Sequence, residues 1–99
     1  MAYVYLLRCA DDSLYCGWTV DLARRLAAHE SGKASKYTAR RLPVQMAAAW
    51  ESESARKLEW AIKQLTRAEK ERLVAGAPLA GATALPLPEA VEVARDPLH

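Results

Sequence analysis

The chain has 99 residues, of which 52 % are hydrophobic and 26 % charged, and these values fit one compact domain with a modest core. No window approaches the roughly 20 apolar residues of a membrane-spanning helix, and no basic region precedes the first apolar residues, so we expect a soluble cytoplasmic protein. Two cysteines, Cys9 and Cys16, are too few for a disulfide framework, and no zinc-ribbon spacing accompanies them. Structural zinc is therefore not expected.

The net charge of +2 is unevenly distributed along the chain. Residues 1–75 contain thirteen Lys and Arg against nine Asp and Glu, whereas residues 76–99 contain one against three. Four cations lie around Tyr37 in a stretch without acids: Lys33, Lys36, Arg40 and Arg41. Such a stretch is compatible with binding a polyanionic backbone, and also with an ordinary solvated loop.

Residues 2–9 and 14–19 are rich in β-branched and aromatic residues and enclose the turn-forming run Asp11-Asp12-Ser13, which predicts a β-hairpin. If the loop has three residues, with Asp12 or Ser13 in the left-handed conformation, the odd residues of both strands share one face. The even face then holds Val4, Leu6, Leu14, Cys16 and Trp18, and the odd face holds Tyr3, Tyr5, Tyr15, Gly17 and Thr19.

This register makes Tyr5 and Tyr15 neighbours, and its sorting of apolar residues onto the even face supports it. A two-residue turn would instead send the two tyrosines to opposite faces and would place Cys9 and Cys16 on one face.

A helix is predicted over residues 22–29, with either Thr19 or Asp21 as its cap. Residues 33–42 follow as a basic loop. The segment 44–50, of sequence VQMAAAW, is predicted to form a third strand of a small antiparallel sheet.

A helical wheel sorts the side chains of this first helix. Leu22 and Leu26 form the buried stripe, at about 100° per residue. Arg25 and His29 lie beside that stripe, one turn apart. Arg24 points away from the stripe, so we expect Arg24 and Arg25 to have different roles.

A second helix begins after Ser52 or Ser54, and it carries Glu59 and Lys63 along one edge of its apolar stripe. The stripe consists of Ala55, Leu58, Ile62 and Leu65.

The run 66–69, Thr-Arg-Ala-Glu, matches a capping box and predicts a third helix that ends near Val74. The predicted fold is α+β, a three-stranded antiparallel sheet flanked by helices in the order β-β-α-β-α-α. The domain is expected to span residues 1–76. The Pro- and Ala-rich acidic tail, 77–99, is expected to contain one short helix between residues 88 and 95.

These residues include the groups that phosphodiester cleavage requires. Glu59 can anchor one Mg²⁺ or Mn²⁺, since magnesium commonly takes one or two protein oxygens together with waters and substrate phosphate. Arg25 can hold a phosphate through two parallel hydrogen bonds. Tyr5 or Tyr15 can act as the base only if the metal or Arg25 stabilises its phenolate. Gly17 allows a backbone to approach the tyrosines closely.

The order and spacing of these residues resemble the GIY-YIG nuclease superfamily, and most closely its stand-alone, single-domain bacterial branch. The resemblance covers roughly residues 2–74. It rests on Tyr3-Val4-Tyr5, Tyr15-Cys16-Gly17, Thr19, Asp21-Leu22, Arg25, His29, Gly32, Lys36-Tyr37-Thr38, Pro43, Glu59 and Ile62-Lys63.

The resemblance implies that Tyr5 or Tyr15 is the catalytic base, that Arg25 contacts the scissile phosphate and that Glu59 ligates the metal. It also implies that His29 assists proton transfer or phosphate positioning. The expected substrate-binding residues are Gly17, Lys36, Tyr37, Arg40 and Lys63.

Several positions depart from the family pattern. Tyr3 and Val4 stand where the family name has Gly and Ile, and Cys16 replaces an aliphatic residue. Trp18 follows the second-motif glycine where some relatives place a lysine, so a supporting cation would have to come from elsewhere. Asp12 stands where many relatives have glycine in the turn.

Three functions follow from these observations. The first is a metal-dependent endonuclease that hydrolyses DNA, in repair or processing. The second is a nucleic-acid-binding module that uses the same face without cutting. The third is a contact with a partner protein or a second copy of the chain, through Trp60 and the apolar tail. RNA remains open as a substrate, because no residue pattern here recognises a 2′-hydroxyl.

Overall fold

A computed structural model describes residues 1–86 of the chain, in which an antiparallel sheet carries helices on both faces. The strands are β1 (Tyr3–Arg8), β2 (Leu14–Thr19), β3 (Gln45–Glu51) and β4 (Thr83–Leu85), and the helices are α1 (Leu22–Glu30), α2 (Lys36–Ala39), α3 (Ala55–Lys63) and α4 (Arg67–Val74). The strand order is β2-β1-β3-β4. The predicted α+β architecture with a helix-flanked antiparallel sheet is confirmed.

The hairpin of β1 and β2 has the predicted register. Tyr5 lies opposite Gly17, and Cys16 lies opposite Leu6, so odd residues of both strands share a face. Asp12 takes the left-handed conformation at φ 70°, the position that the turn requires. The even register therefore places the two motif tyrosines on one side of the sheet.

Each face of the sheet has its own apolar cluster. On the odd face, Tyr5 and Leu7 pack with Leu22 and Leu26 of α1. On the even face, the cluster contains Val4, Leu6, Cys16, Trp50, Ile62 and Leu73, the last two from α3 and α4. Cys9 belongs to the first cluster and Cys16 to the second; both are buried free thiols. The odd face, between β1, β2 and α1, carries the two motif tyrosines, Tyr5 and Tyr15.

The sheet has four strands where the sequence predicts three. The additional strand β4 pairs with β3, and it comes from the segment 77–99 that the sequence analysis places outside the domain. The Ser52 hydroxyl donates to the Gly81 carbonyl at 2.7 Å and holds this segment to the end of β3. The helix predicted over residues 88–95 lies outside the described residues. None of the helices in residues 1–86 is long and apolar enough to cross a membrane.

The predicted loop 33–42 contains the short helix α2. The Ser35 hydroxyl caps it by accepting hydrogen bonds from the backbone N–H groups of Tyr37 and Thr38, at 3.1 and 3.4 Å. This helix packs against α1 and buries Thr38 completely. The segment is therefore part of the wall around the motif residues rather than a free basic loop.

The capping box of α4 offers a test of local stability. Thr66 Oγ1 accepts from the Glu69 N–H at 3.2 Å, and Glu69 accepts from the Thr66 N–H at 3.0 Å. We expect Thr66→Ala to lower the free energy of unfolding by about 1 kcal/mol, because an N–H at the helix start loses its partner. Urea unfolding followed by circular dichroism measures this change. Thr66→Ser, which retains the hydroxyl, is the matched control, and equal midpoints for the alanine and serine variants would contradict the prediction.

Candidate active site

A chain of hydrogen bonds links β1, α1 and α2 on the odd face. The Tyr5 hydroxyl lies 2.8 Å from Nε2 of His29, and Nδ1 of His29 lies 2.8 Å from Oγ1 of Thr38. The Thr38 hydroxyl donates to the Ser35 carbonyl at 3.4 Å, so it accepts from Nδ1–H. This assigns Nε2 as the unprotonated nitrogen of the ring, which accepts a hydrogen bond from the Tyr5 hydroxyl.

All three hydrogen-bonded side chains are buried: Tyr5 is 2 % exposed, His29 1 % and Thr38 0 %. The sequence pattern places His29 beside the buried stripe of α1, but it does not predict that the side chain is itself buried. In the structure α2 packs over that edge of the helix and encloses the imidazole. His29 is therefore not a surface group that meets substrate directly. It stands behind Tyr5.

Burial sets the protonation states of this pair. Burial, with the nearby Arg25 charge as a second cause, lowers the pKa of His29 to about 4. Burial also raises the pKa of Tyr5 well above its usual range; Tyr15 and Glu59 raise it further, and Arg25 opposes the rise. At neutral pH both rings are uncharged, with the proton on the tyrosine.

Gly17 permits the position of the Tyr5 ring. A Cβ at residue 17 would lie 2.6 Å from Cζ of Tyr5 and closer still to its hydroxyl oxygen. Carbon atoms in proteins do not approach this closely. The absence of a side chain at Gly17 is therefore what allows the hydroxyl of Tyr5 to stand at the pocket.

A pocket of about 260 Å³ opens over this tyrosine. It brings together four of the five predicted catalytic residues, Tyr5, Tyr15, Arg25 and Glu59, whereas the fifth, His29, is one layer below. The remaining lining residues are Gly17, Trp18, Thr19 and Val20.

Tyr15 has different surroundings from Tyr5. Its ring meets the edge of the His29 ring at a centroid distance of 5.2 Å and lies 5.8 Å from the ring of Tyr37. The guanidinium of Arg41 covers Tyr37 at 3.7 Å and pairs with Asp11. Tyr37 thus supports Tyr15 in an aromatic row, and it lies beside the pocket rather than in its lining.

Glu59 supplies the carboxylate of the pocket. Its side chain is 23 % exposed, and its carboxylate lies 3.6 Å from the ammonium of Lys63. Within residues 1–86, no group of three or more His, Cys, Asp or Glu side chains is placed to hold a metal ion. A cation at Glu59 would therefore be held by one protein carboxylate, with waters and substrate oxygens as its other ligands, an arrangement that Mg²⁺ accepts.

Of the five predicted substrate-binding residues, only Gly17 lines the pocket. Tyr37 and Lys63 lie beside it, next to Tyr15 and Glu59, and the other two lie farther away. Lys36 and Arg40 are exposed at the two ends of α2 and do not line the pocket. Conversely, Trp18, Thr19 and Val20 line the pocket and Thr38 contacts His29, although none of the four was predicted as a site residue. The run Lys36-Tyr37-Thr38 contained the only signal for Thr38.

The chain is similar to known proteins over most of its length. The GIY-YIG catalytic domain matches residues 1–72. A UPF0213 protein of Natronomonas pharaonis is 49 % identical over 76 residues, which cover 74 % of this chain and 89 % of the relative. A UPF0213 protein of Halalkalibacterium halodurans is 43 % identical over 88 residues, which cover 84 % and 94 %.

A solution NMR structure of a UPF0213 protein from Bacillus halodurans shares 44 % identity with this chain. The match has a TM-score of 0.48 and covers 82 % of this chain and 87 % of that one. Because the family match extends over more than half of the sequence, the chain belongs to the GIY-YIG catalytic-domain family, whose domain is a nuclease fold.

Proposed function

We propose that the protein is a metal-dependent endonuclease that hydrolyses phosphodiester bonds of DNA, with a role in repair or processing. The observation that carries the proposal is the Tyr5 hydroxyl, which lines a pocket with Arg25 and Glu59 and donates to His29 at 2.8 Å. Residues 1–76 hold all of these groups, and residues 77–86 extend the edge of the sheet.

Tyr5 is the proposed base. Its oxygen can accept a proton from an attacking water on the pocket side while its own proton passes to Nε2 of His29. This transfer needs no free phenolate before the reaction begins, which matters because burial disfavours that ion. His29 is uncharged at neutral pH and has its acceptor nitrogen aimed at Tyr5, so the proton has a direct path to it. Because burial also disfavours the imidazolium, the ring would hold that proton only transiently.

Tyr15 is the less suited of the two tyrosines for this role. The rings of Tyr15 and His29 meet in an edge-to-face contact, whereas the Tyr5 hydroxyl makes the hydrogen bond to Nε2 of His29. Tyr15 is therefore proposed to form a wall of the pocket and to position substrate.

Arg25 is the proposed phosphate ligand. It lines the pocket from α1, and its charge already favours ionisation of Tyr5. A guanidinium can hold two phosphate oxygens in a fixed plane and take up negative charge that develops in the transition state.

Glu59 is the proposed metal ligand. If Glu59 holds a divalent cation, that ion would supply a Lewis acid for the phosphate and for the charge that develops on the leaving oxygen. Without it, the Glu59 charge opposes ionisation of Tyr5 and would repel a phosphate. Lys63, at 3.6 Å, offsets this charge only in part, since its side chain is 47 % exposed and solvent screens the pair.

The test is nicking of supercoiled plasmid and of branched DNA by the purified chain with Mg²⁺ or Mn²⁺, against an EDTA control. We expect metal-dependent cutting by the wild type and its loss in Tyr5→Phe and in Glu59→Gln. Tyr3→Phe, on the same face of β1, and Glu30→Gln, exposed at the end of α1, are the matched controls and should cut normally.

Each other outcome has a definite meaning. Cutting that survives Tyr5→Phe and Glu59→Gln would place the activity elsewhere. DNA binding without cutting in any form would assign the chain to the second function, a nucleic-acid-binding module, or to a nuclease that requires a partner protein.

A further inference from the structure

The outer side of α3 carries an exposed aromatic among cations. Trp60 is 67 % exposed, although an indole of this size is usually covered. Arg56 precedes it by one helical turn on the same side of α3, and the guanidinium of Arg56 lies 5.8 Å from the ring of Trp18 on β2. Trp18, Arg56, Lys57 and Trp60 together form a surface that we call the tryptophan face.

The tryptophan face is continuous with the active pocket. Trp18 lines that pocket and also lines a second pocket of about 340 Å³, which Ser54, Arg56 and Lys57 border on the side of α3. One indole is thus the wall between the two pockets. A strand whose scissile phosphate lies over Tyr5 would pass Trp18 to reach α3.

The charge of this face is suited to a polyanion. No carboxylate within residues 1–86 forms an ion pair with Arg56 or Lys57. By contrast, Lys63 is paired with Glu59, and Arg67 is paired with Asp12. Among the described residues, Glu53 is the one acid that borders the second pocket, so the two cations outnumber it.

The indole of Trp60 also selects the kind of nucleic acid. Bases within a duplex are already stacked on both sides and cannot cover a protruding ring, whereas unpaired bases stack on exposed aromatics and their phosphates bind nearby cations. We propose that the tryptophan face binds unpaired nucleotides that flank the scissile bond. This inference rests on the proposed function, because it uses the position of the active pocket to fix which strand is bound.

The experiment measures binding of a fluorescent single-stranded oligonucleotide, and of a blunt duplex of the same sequence, to the full chain in EDTA. We expect Trp60→Ala to weaken single-strand binding roughly tenfold, in line with the stacking of one base. Duplex binding should change less than about twofold. Trp60→Tyr should restore most of the loss. Arg56→Gln should weaken single-strand binding and reduce its salt dependence, whereas Arg24→Gln, an exposed arginine of α1, should not.

The outcomes separate this inference from the proposed function. Absence of single-strand binding by the wild type, or equal binding by wild type and Trp60→Ala, would overturn the inference even if the enzyme cuts DNA. Trp60-dependent binding without cleavage would support the inference while the nuclease proposal fails. A change from dimer to monomer on Trp60→Ala, with DNA binding unchanged, would assign the face to a protein contact instead.

Discussion

Gly17→Ala is expected to abolish DNA cleavage and to destabilise the fold, although it adds a single methyl group. The new Cβ would lie 2.6 Å from Cζ of Tyr5. The ring cannot retreat, because it is 2 % exposed, meets the His29 ring at a centroid distance of 5.7 Å and holds the 2.8 Å hydrogen bond. We expect a loss of at least about a hundredfold in cleavage rate, the usual contribution of a positioned base. The nicking assay measures this loss.

The stability effect isolates the cause. Gly17 does not have a positive φ, so alanine is compatible with its backbone and the penalty is a steric one. We expect Gly17→Ala to lower the free energy of unfolding by about 2 kcal/mol, which is typical of an overpacked core. In a Tyr5→Ala background the same substitution should cost less than about 0.5 kcal/mol, because the opposing ring is gone. Equal costs in both backgrounds would show that the close approach is not the reason for the glycine.

Local signals predicted the hairpin and the boundaries of α1 and α4. The run Asp11-Asp12-Ser13 carries its own turn chemistry, and the Thr66 capping box closes within four residues. Asp21 caps α1 through a bond to the Arg24 N–H at 3.0 Å. Each of these features joins residues close in sequence, so short sequence segments are sufficient to predict them.

Features that depend on distant residues were not predictable in the same way. A helical wheel gives the direction of His29 relative to Leu22 and Leu26, but not the width of the arc that other elements cover. The packing of α2 decides that width, and it turns a flanking histidine into a buried one. Similarly, β4 depends on pairing with β3 and on Ser52, some thirty residues earlier in the chain.

The residues of the candidate site also differ in whether the sequence alone could identify them. Tyr5, Tyr15, Arg25 and Glu59 were identifiable from motif spacing, and the structure brings them to one pocket. Thr38 was not, since a threonine next to an exposed tyrosine in a basic segment has no distinguishing sequence context. Its importance is visible only once Nδ1 of His29 is found 2.8 Å away.

His29→Gln is expected to be the second large effect on cleavage. Glutamine can accept the Tyr5 hydroxyl hydrogen bond but cannot take up its proton. We therefore expect the cleavage rate to fall by about a hundredfold or more, with DNA binding unchanged. Single-turnover cleavage and equilibrium binding, measured on the same DNA, separate these two quantities.

The same substitution should change how stability depends on pH. In the folded chain the pKa of His29 is about 4, against 6.5 for the free side chain. Below about pH 6.5 this histidine is protonated in the unfolded chain, whereas in the folded chain it stays neutral until about pH 4. The unfolded chain therefore binds more protons in this window, and the free energy of unfolding decreases as the pH falls through it. Relative to His29→Gln, the wild type should lose up to about 3 kcal/mol between pH 7 and pH 4. Urea unfolding at several pH values measures the difference.

Thr38 provides the control for the proton path. Thr38→Val keeps the shape of the side chain but removes the acceptor of Nδ1–H, so the proton on the ring is no longer confined to that nitrogen. We expect a lower cleavage rate and a shifted pH profile in Thr38→Val, with unchanged DNA affinity, and near-normal values in Thr38→Ser. A His29→Gln enzyme that cuts at the wild-type rate would exclude His29 as the proton acceptor and leave it a packing residue. Loss of cleavage in His29→Gln and Thr38→Val, with rescue by serine, would instead establish that the orientation of the imidazole behind Tyr5 sets the reactivity of the pocket.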